Sequence, residues 1–126
     1  MSLLNYQDTA TFYKVTSDEY GRRKIITETE SVPVIFLQGI RLVQGDKSET
    51  VQADAICYPD PTNDFVIDNA NRLEGMFILA PLFGVDSEEG WYRISQVTVN
   101  RDHLLTNQID NIMCVLTKAS KLINAS

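Results

Sequence analysis

The sequence has few of the side chains on which catalysis and metal binding usually depend. Its 126 residues include one histidine, His103, and two cysteines, Cys57 and Cys114. A serine or cysteine nucleophile usually needs a base beside it, and His103 stands in the polar stretch NRDHLL without a nucleophile motif near it. The sequence also lacks a phosphate-binding glycine motif and a Cys/His set with metal-site spacing. We therefore expect no catalytic residue, no metal and no cofactor, and interpret His103 as a surface residue.

Cysteine is scarce, and each copy stands inside an apolar run, DAICYP for Cys57 and IMCVL for Cys114. Free cysteines in such runs behave as small buried hydrophobic residues. A disulfide between them would require an oxidising compartment. The segment MSLLNYQDTA has neither a basic region nor a long apolar run, and no stretch of about 20 apolar residues occurs elsewhere. The sequence thus predicts an intracellular protein with buried thiols, without a signal peptide or membrane span.

Positive charge is also in short supply. Eleven Lys and Arg residues face 17 Asp and Glu residues, which gives a net charge of −6. Binding to nucleic-acid phosphates needs clustered cations, and only the run GRRK at 21–24 is locally basic. We interpret this run as a solvated turn or as a local contact with an acidic partner. The acidic pairs at 18–19 and 88–89 stand in polar turns and lack the opposed environments that acid–base catalysis requires.

One stretch has a partial calcium-loop pattern. Asp60, Thr62 and Asp64 stand at the first, third and fifth positions of such a loop, but the sixth is Phe65 rather than glycine and the twelfth is Asn71 rather than glutamate. Turn-forming side chains explain this stretch better.

Aromatic residues offer a second partial pattern. Phe12, Tyr13, Trp91 and Tyr92 could stack nucleic-acid bases. Because no cations accompany them, we expect them in the core instead.

Period-two alternation is the main structural signal. Residues 9–15 alternate, a polar turn with Gly21 follows, and KIITETE alternates again, so TFYKVTSDEYGRRKI predicts a β-hairpin. Pro33 suggests an interrupted ladder, at an edge or a bend. TVQADAICY predicts one strand with Val51, Ala53, Ala55 and Cys57 on one side.

The second half of the chain continues the pattern. FVI is a short segment and DNANRLEG a loop, whereas MFILA predicts a strand buried on both faces. In WYRISQVTVN the apolar residues change parity, which predicts a β-bulge near Ser95 or Gln96. The segment IMCVLT fits a helix or a strand, and its β-branched residues favour the strand. Asp102 could cap a short helical turn through HLLTNQ.

These segments predict an all-β fold, a small barrel or sandwich with long loops and at most a short helix. We expect one domain over residues 1–126, with residues 118–126 as a flexible tail unless they dock on something.

The order of these segments resembles the head-closure (head-completion, stopper) family of tailed bacteriophages, which connects head and tail. The stretch DTATFYKVTSDEYGRRK is similar to the family's opening strand and its turn, here Asp18, Tyr20 and Gly21. SETVQADAICYPD resembles a polar loop that leads into a strand ending near a proline. LEGMFIL followed by GWYRISQVTV resembles the final turn and strand. The long stretch DPTNDFVIDNANR and the region NRDHLLTNQIDN depart from the family pattern.

The resemblance implies a virion structural protein of the phage neck, assembled in the host cytoplasm. Such a β-barrel forms a homo-oligomeric ring below a portal or adaptor protein, closes the DNA channel after packaging, and offers an attachment surface to a tail terminator or tail protein. Packaged DNA would then be near the ring without specific binding, and no membrane would be involved.

Two groups of residues become candidates under this interpretation. A channel-gating loop is expected at Gly45, Asp46, Lys47, Ser48 and Glu49, where Gly45 could act as a hinge. Contacts with a neighbour or partner are expected at the residues that follow: Asp18, Tyr20, Arg22, Arg23, Asp60, Asp64 and Asp68.

Two other classes of function remain open. The first is an OB-like β-barrel that binds a ligand or nucleic acid, although the acidic balance counts against it. The second is an enzyme, which the residue inventory favours least.

Overall fold

The computed structural model describes residues 6–17, 21, 24–38, 41–44, 49–101 and 109–122, and for residues 41–44 and 49–52 it describes the backbone alone. The elements in chain order are β1 Asp8–Ser17, β2 Lys24–Gln38, β3 Arg41–Gln44, β4 Glu49–Gln52, β5 Ala55–Pro59, α1 Asp64–Asn69, β6 Phe77–Leu79, β7 Trp91–Arg101 and β8 Ile109–Lys118. Six strands close an antiparallel barrel in the order β1-β2-β5-β8-β7-β6, and β3 and β4 form a separate two-stranded sheet. The predicted all-β fold is confirmed. Within these residues no helix is both long and apolar enough to cross a membrane.

The predicted opening hairpin is present. β1 and β2 pair from Asp8 with Val34 to Ser17 with Lys24, and Gly21 has a φ of 68°, which glycine adopts without strain. β5 pairs with β2 only from Val34 onwards. Residues 24–33 of β2 therefore have β1 as their one strand partner among the described residues, and the hairpin extends past the barrel wall.

Pro33 stands at an edge of the sheet on the β5 side, one of the two places predicted for it, although it does not interrupt the ladder with β1. β2 runs through Pro33, which pairs with Thr9 of β1. Its carbonyl accepts from the backbone N–H of Asp60, at 2.9 Å. Because the carbonyl and nitrogen of one strand residue point to the same side, the missing N–H lies on the β5 side, where the β5 ladder has already ended.

The prediction of one continuous strand over TVQADAICY is wrong. The chain leaves the ladder between β4 and β5, where the Asp54 carboxylate accepts from the backbone N–H of Lys118 at 2.7 Å. The break shifts the alternation of side chains between the two faces of the sheet. As a result Ala53 packs with Ile56 and Val115, whereas Ala55 faces the barrel interior. A side chain that takes over a backbone bond is difficult to foresee from a hydrophobic pattern.

The short segment FVI and the first residues of the loop predicted over DNANRLEG form a helix instead. α1 begins after Asn63, whose Oδ1 accepts from the backbone N–H groups of Phe65 and Val66 at 3.0 and 3.3 Å. Such an N-cap compensates the unpaired donors of the first turn. Phe65 and Val66 then enter the barrel core.

The predicted bulge in β7 is confirmed. The register against β8 shifts between Ile94 and Gln96. As a result Tyr92 and Ile94 are buried in the main core, and Val97 and Val99 pack against the same core. β8 is a strand, as the β-branched residues indicated, and the predicted cap at Asp102 lies outside the described residues.

The barrel wall has apolar contacts on both sides. Alternate strand residues fill the interior, for example Ala10, Phe12 and Ile78. The opposite faces of β1, β6 and β7 carry a second cluster, which we call the outer cluster: Tyr13, Phe77, Leu79, Trp91 and Leu122. The predictions that β6 is buried on both faces and that Phe12, Tyr13, Trp91 and Tyr92 belong to the core are therefore confirmed.

The predicted flexible tail docks on the barrel as far as Leu122. The backbone N–H of Ala119 donates to the Trp91 carbonyl at 2.9 Å, and the Leu122 side chain is buried in the outer cluster. The Trp91 indole donates to the Ser87 carbonyl at 2.9 Å, which fixes the ring that Leu122 covers. Of the two alternatives that the sequence left open, residues 118–122 thus adopt the docked one, and residues 123–126 lie outside the described part.

The docked tail can be tested with a pair of leucine substitutions. Leu122→Ala removes a side chain that is 5% exposed, whereas Leu82→Ala removes one that is fully exposed. We expect Leu122→Ala to lower the free energy of unfolding by about 2 kcal/mol and Leu82→Ala to change it by less than about 0.5 kcal/mol. Urea titrations followed by Trp91 fluorescence measure both. Equal stability of the two variants would contradict the docking.

Candidate interaction surface

A polar groove lies between the opening hairpin and α1. It has a volume of about 590 Å³ and is lined by Lys14, Glu28, Glu30, Asn63, Asp64, Phe65, Asp68, Asn69 and Arg72. We call it the hairpin–helix groove. Four of its charged residues are acidic and two are basic, so its lining carries a net charge of −2. The groove therefore attracts cationic groups more than anionic ones.

A polar contact holds the two sides of the groove together. Lys14 Nζ of β1 donates to Asn69 Oδ1 of α1 at 3.1 Å, and Asn69 Nδ2 donates to the Phe65 carbonyl at 2.9 Å. Asn69 is 5% exposed, so its amide is a buried polar group with both ends bonded. Lys14 Nζ also lies 3.9 Å from Glu28 Oε2, and this half-exposed ion pair contributes little to stability by itself.

The acidic residues of the groove come from two elements. Asp64 and Asp68 are four residues apart on α1, so they lie on the same side of the helix. Glu28 and Glu30 are two residues apart on β2 and share a face of the strand. All four are exposed. The groove is thus an open, solvated acidic surface.

Asp60, which was predicted beside Asp64 and Asp68, does not line the groove. Its Oδ1 accepts from the backbone N–H and the hydroxyl of Thr62, at 2.9 and 2.7 Å. This is the turn-forming role that the sequence favoured over a calcium loop. Within the described ranges no group of three or more His, Cys, Asp or Glu side chains is arranged to hold a metal ion.

Most other predicted site residues lie outside the described part of the chain. These are Asp18, Tyr20, Arg22 and Arg23 of the contact set, and Gly45, Asp46, Lys47 and Ser48 of the gating set. Glu49 is the first residue of β4 and pairs with Gln44 of β3. Residues 45–48 therefore connect two paired strands that take no part in the barrel.

Sequence reasoning missed the groove because it missed the helix. The signal for the helix is Asn63 followed by Asp64 and two apolar residues, an N-cap with an acid in the first turn. Proline at 59 and 61 made this stretch look like a loop. The contact from Lys14 to Asn69 spans 55 positions and has no local signal.

An apolar patch lies at the end of the barrel where β6 finishes. Leu82 is fully exposed at a φ of 72°, which costs a leucine on the order of 1 kcal/mol. Together with Phe36, Leu37 and Phe83 it borders a cavity of about 500 Å³. Exposed apolar groups that cluster in this way are typical of protein contacts.

Comparisons of this chain with protein-family models, with curated proteins and with solved structures find no match.

The N-cap at Asn63 fixes the start of α1 and so the positions of Asp64 and Asp68. Substitutions at Asn63 test whether this cap stabilises the helix. Asn63→Ala removes the acceptor for two backbone N–H groups. We expect it to lower the free energy of unfolding by about 1 kcal/mol, whereas Asn63→Asp, which also caps, should stay within about 0.5 kcal/mol of the parent. Urea denaturation measures both. A loss of the same size in Asn63→Asp would show that the cap is not the cause.

Proposed function

We propose that this chain is a virion structural protein of a tailed-phage neck, which forms a ring below the portal or adaptor and closes the DNA channel. The observation that carries the proposal is a closed barrel from which two hairpins extend, β1–β2 beyond the barrel wall and β3–β4 as a separate sheet. A small closed barrel has no free sheet edge, so extensions are the means by which it reaches neighbours. The resemblance in the order of sequence segments points to the same family.

The charge distribution supports a head-to-tail contact between copies. One chain carries the acidic hairpin–helix groove and, in the sequence between β1 and β2, the basic residues Arg22 and Arg23. Two different surfaces that complement each other form a heterologous interface, which generates a ring when the rotation closes. The basic stretch of one subunit would meet the acidic groove of the next.

The assignment is tested on DNA-filled heads that are produced without this chain and have no tails. Purified protein should co-sediment with these heads, and electron microscopy should show a ring below the portal. Binding of single-stranded DNA at low salt, without binding to heads, would favour the OB-like alternative and overturn the proposal. Failure to bind either would also count against the neck assignment.

Charge reversal tests the subunit contact within the same assay. Glu30→Lys with Asp68→Lys places two cations in the groove, and we expect ring formation on heads to weaken by about tenfold or more through like-charge repulsion. Glu74→Lys with Glu88→Lys makes the same change at exposed sites outside the groove and should bind as the parent does. Adding Arg22→Glu and Arg23→Glu to the groove variant should restore assembly. Equal loss in the control pair would exclude a specific groove contact.

The gating loop gives a separate prediction. Because residues 45–48 connect strands outside the barrel, shortening this connection should leave folding and head binding intact. We expect packaged DNA to leak from tailless heads that carry the shortened protein. DNA retention equal to that of the parent would show that Gly45, Asp46, Lys47, Ser48 and Glu49 do not form the gate.

A further inference from the structure

The two cysteines of the chain lie directly opposite each other in the barrel. Cys57 of β5 pairs in register with Cys114 of β8. Both side chains are free thiols with no solvent exposure, and both belong to the interior core. They therefore share one face of the sheet, with their side chains directed to the same side.

This placement matches the geometry that a disulfide needs. Residues directly opposite in antiparallel strands have Cα atoms about 4.5 to 5.5 Å apart, and disulfides join Cα atoms about 4.4 to 6.8 Å apart. The flanking pair, Ile56 with Val115, is directed to the other side of the sheet. The closed form has lost two hydrogen atoms and carries no added group in the interior core.

We propose that Cys57 and Cys114 form an oxidation site that closes into a cross-strand disulfide and joins β5 to β8 covalently. The oxidant is a peroxide. One thiolate attacks a peroxide oxygen, which gives a sulfenic acid and, with a proton, water. The second sulfur then attacks the sulfenic sulfur, the S–S bond forms, and a second water leaves. Two thiols lose two electrons in total, and hydrogen peroxide takes them up.

The buried position makes this oxidation slow. Burial raises the pKa of the Cys57 thiol well above its usual value, with a further rise caused by the neighbouring Cys114. Burial also raises the pKa of Cys114 to about 12. The thiolate that reacts is therefore scarce near neutral pH, and its fraction rises about tenfold with each pH unit. Both thiols therefore stay reduced in a reducing cytosol. The disulfide forms only during long exposure to an oxidising medium.

The disulfide has a measurable effect on stability. It closes a loop that spans the chain from β5 to β8, which includes α1, β6 and β7. A cross-link of this length restricts the unfolded chain strongly. Oxidation should therefore raise the melting temperature by about 5 °C or more.

The experiment uses the purified full chain. Reduced protein is incubated with hydrogen peroxide, catalase removes the excess, and the protein is denatured in iodoacetamide. We expect the peptides that contain Cys57 and Cys114 to be joined, lower by two hydrogen atoms in total and free of alkylation, whatever oxygen the three methionines take up. The melting temperature should rise and return to its first value on treatment with dithiothreitol. Closure should accelerate by close to tenfold per unit between about pH 7 and 9.

Several results would overturn the proposal. They are full alkylation of both thiols after peroxide treatment, addition of oxygen atoms without a link, covalent dimers, or a lower melting temperature. Cys57→Ala and Cys114→Ala serve as controls in which peroxide should leave the melting temperature unchanged. If either variant fails to fold, the comparison of oxidised with re-reduced parent protein still decides. The experiment does not involve head binding, so its outcome tests the disulfide separately from the neck assignment.

Discussion

Barrel closure depends on three residue pairs between β1 and β6, from Thr11 with Leu79 to Tyr13 with Phe77. β6 is three residues long, and each of them is buried. Without this short strand, the facing edges of β1 and β7 would lose their partners and the interior core would open to water. Its residues contact the interior on one side and the outer cluster on the other, so one short segment stabilises both.

The position of the groove depends on α1, which the closed barrel holds in place. α1 enters the connection between β5 and β6, and its apolar side chains Phe65 and Val66 fill the barrel interior. Asn69, buried one turn after Phe65, accepts from Lys14 of β1, and the exposed Asp64 and Asp68 border the groove. The helix therefore contributes its polar side to the acidic surface, beside Glu28 and Glu30 of β2, while its apolar side completes the core. Reversing the exposed charges of α1 leaves the apolar contacts of Phe65 and Val66 in place. The charge of the groove can therefore be changed without changing the stability of the barrel.

The sequence predicted the elements whose residues alternate or change parity. The opening hairpin, the doubly buried β6 and the bulge in β7 all depend on local patterns, and all are present. What it could not predict depends on partners far along the chain. The break at Asp54 is compensated by Lys118, and Pro33 is tolerated because β5 has already ended. For the site, the sequence indicated Asp64 and Asp68, but their grouping with Glu28 and Glu30 requires the helix and the hairpin together.

The pairing of β1 with β6 that closes the barrel also affects how fast the chain folds. Thr11 finds its partner Leu79 only after more than half of the sequence is available, and β5 waits for β8, which lies near the end of the described chain. Each pairing closes a long loop before its contacts form, and folds dominated by such pairings fold in milliseconds to seconds rather than microseconds. During that interval apolar strands are exposed, and at high concentration they can pair with other copies. Slow barrel closure therefore lengthens the interval in which the unfinished barrel is open to such mispairing.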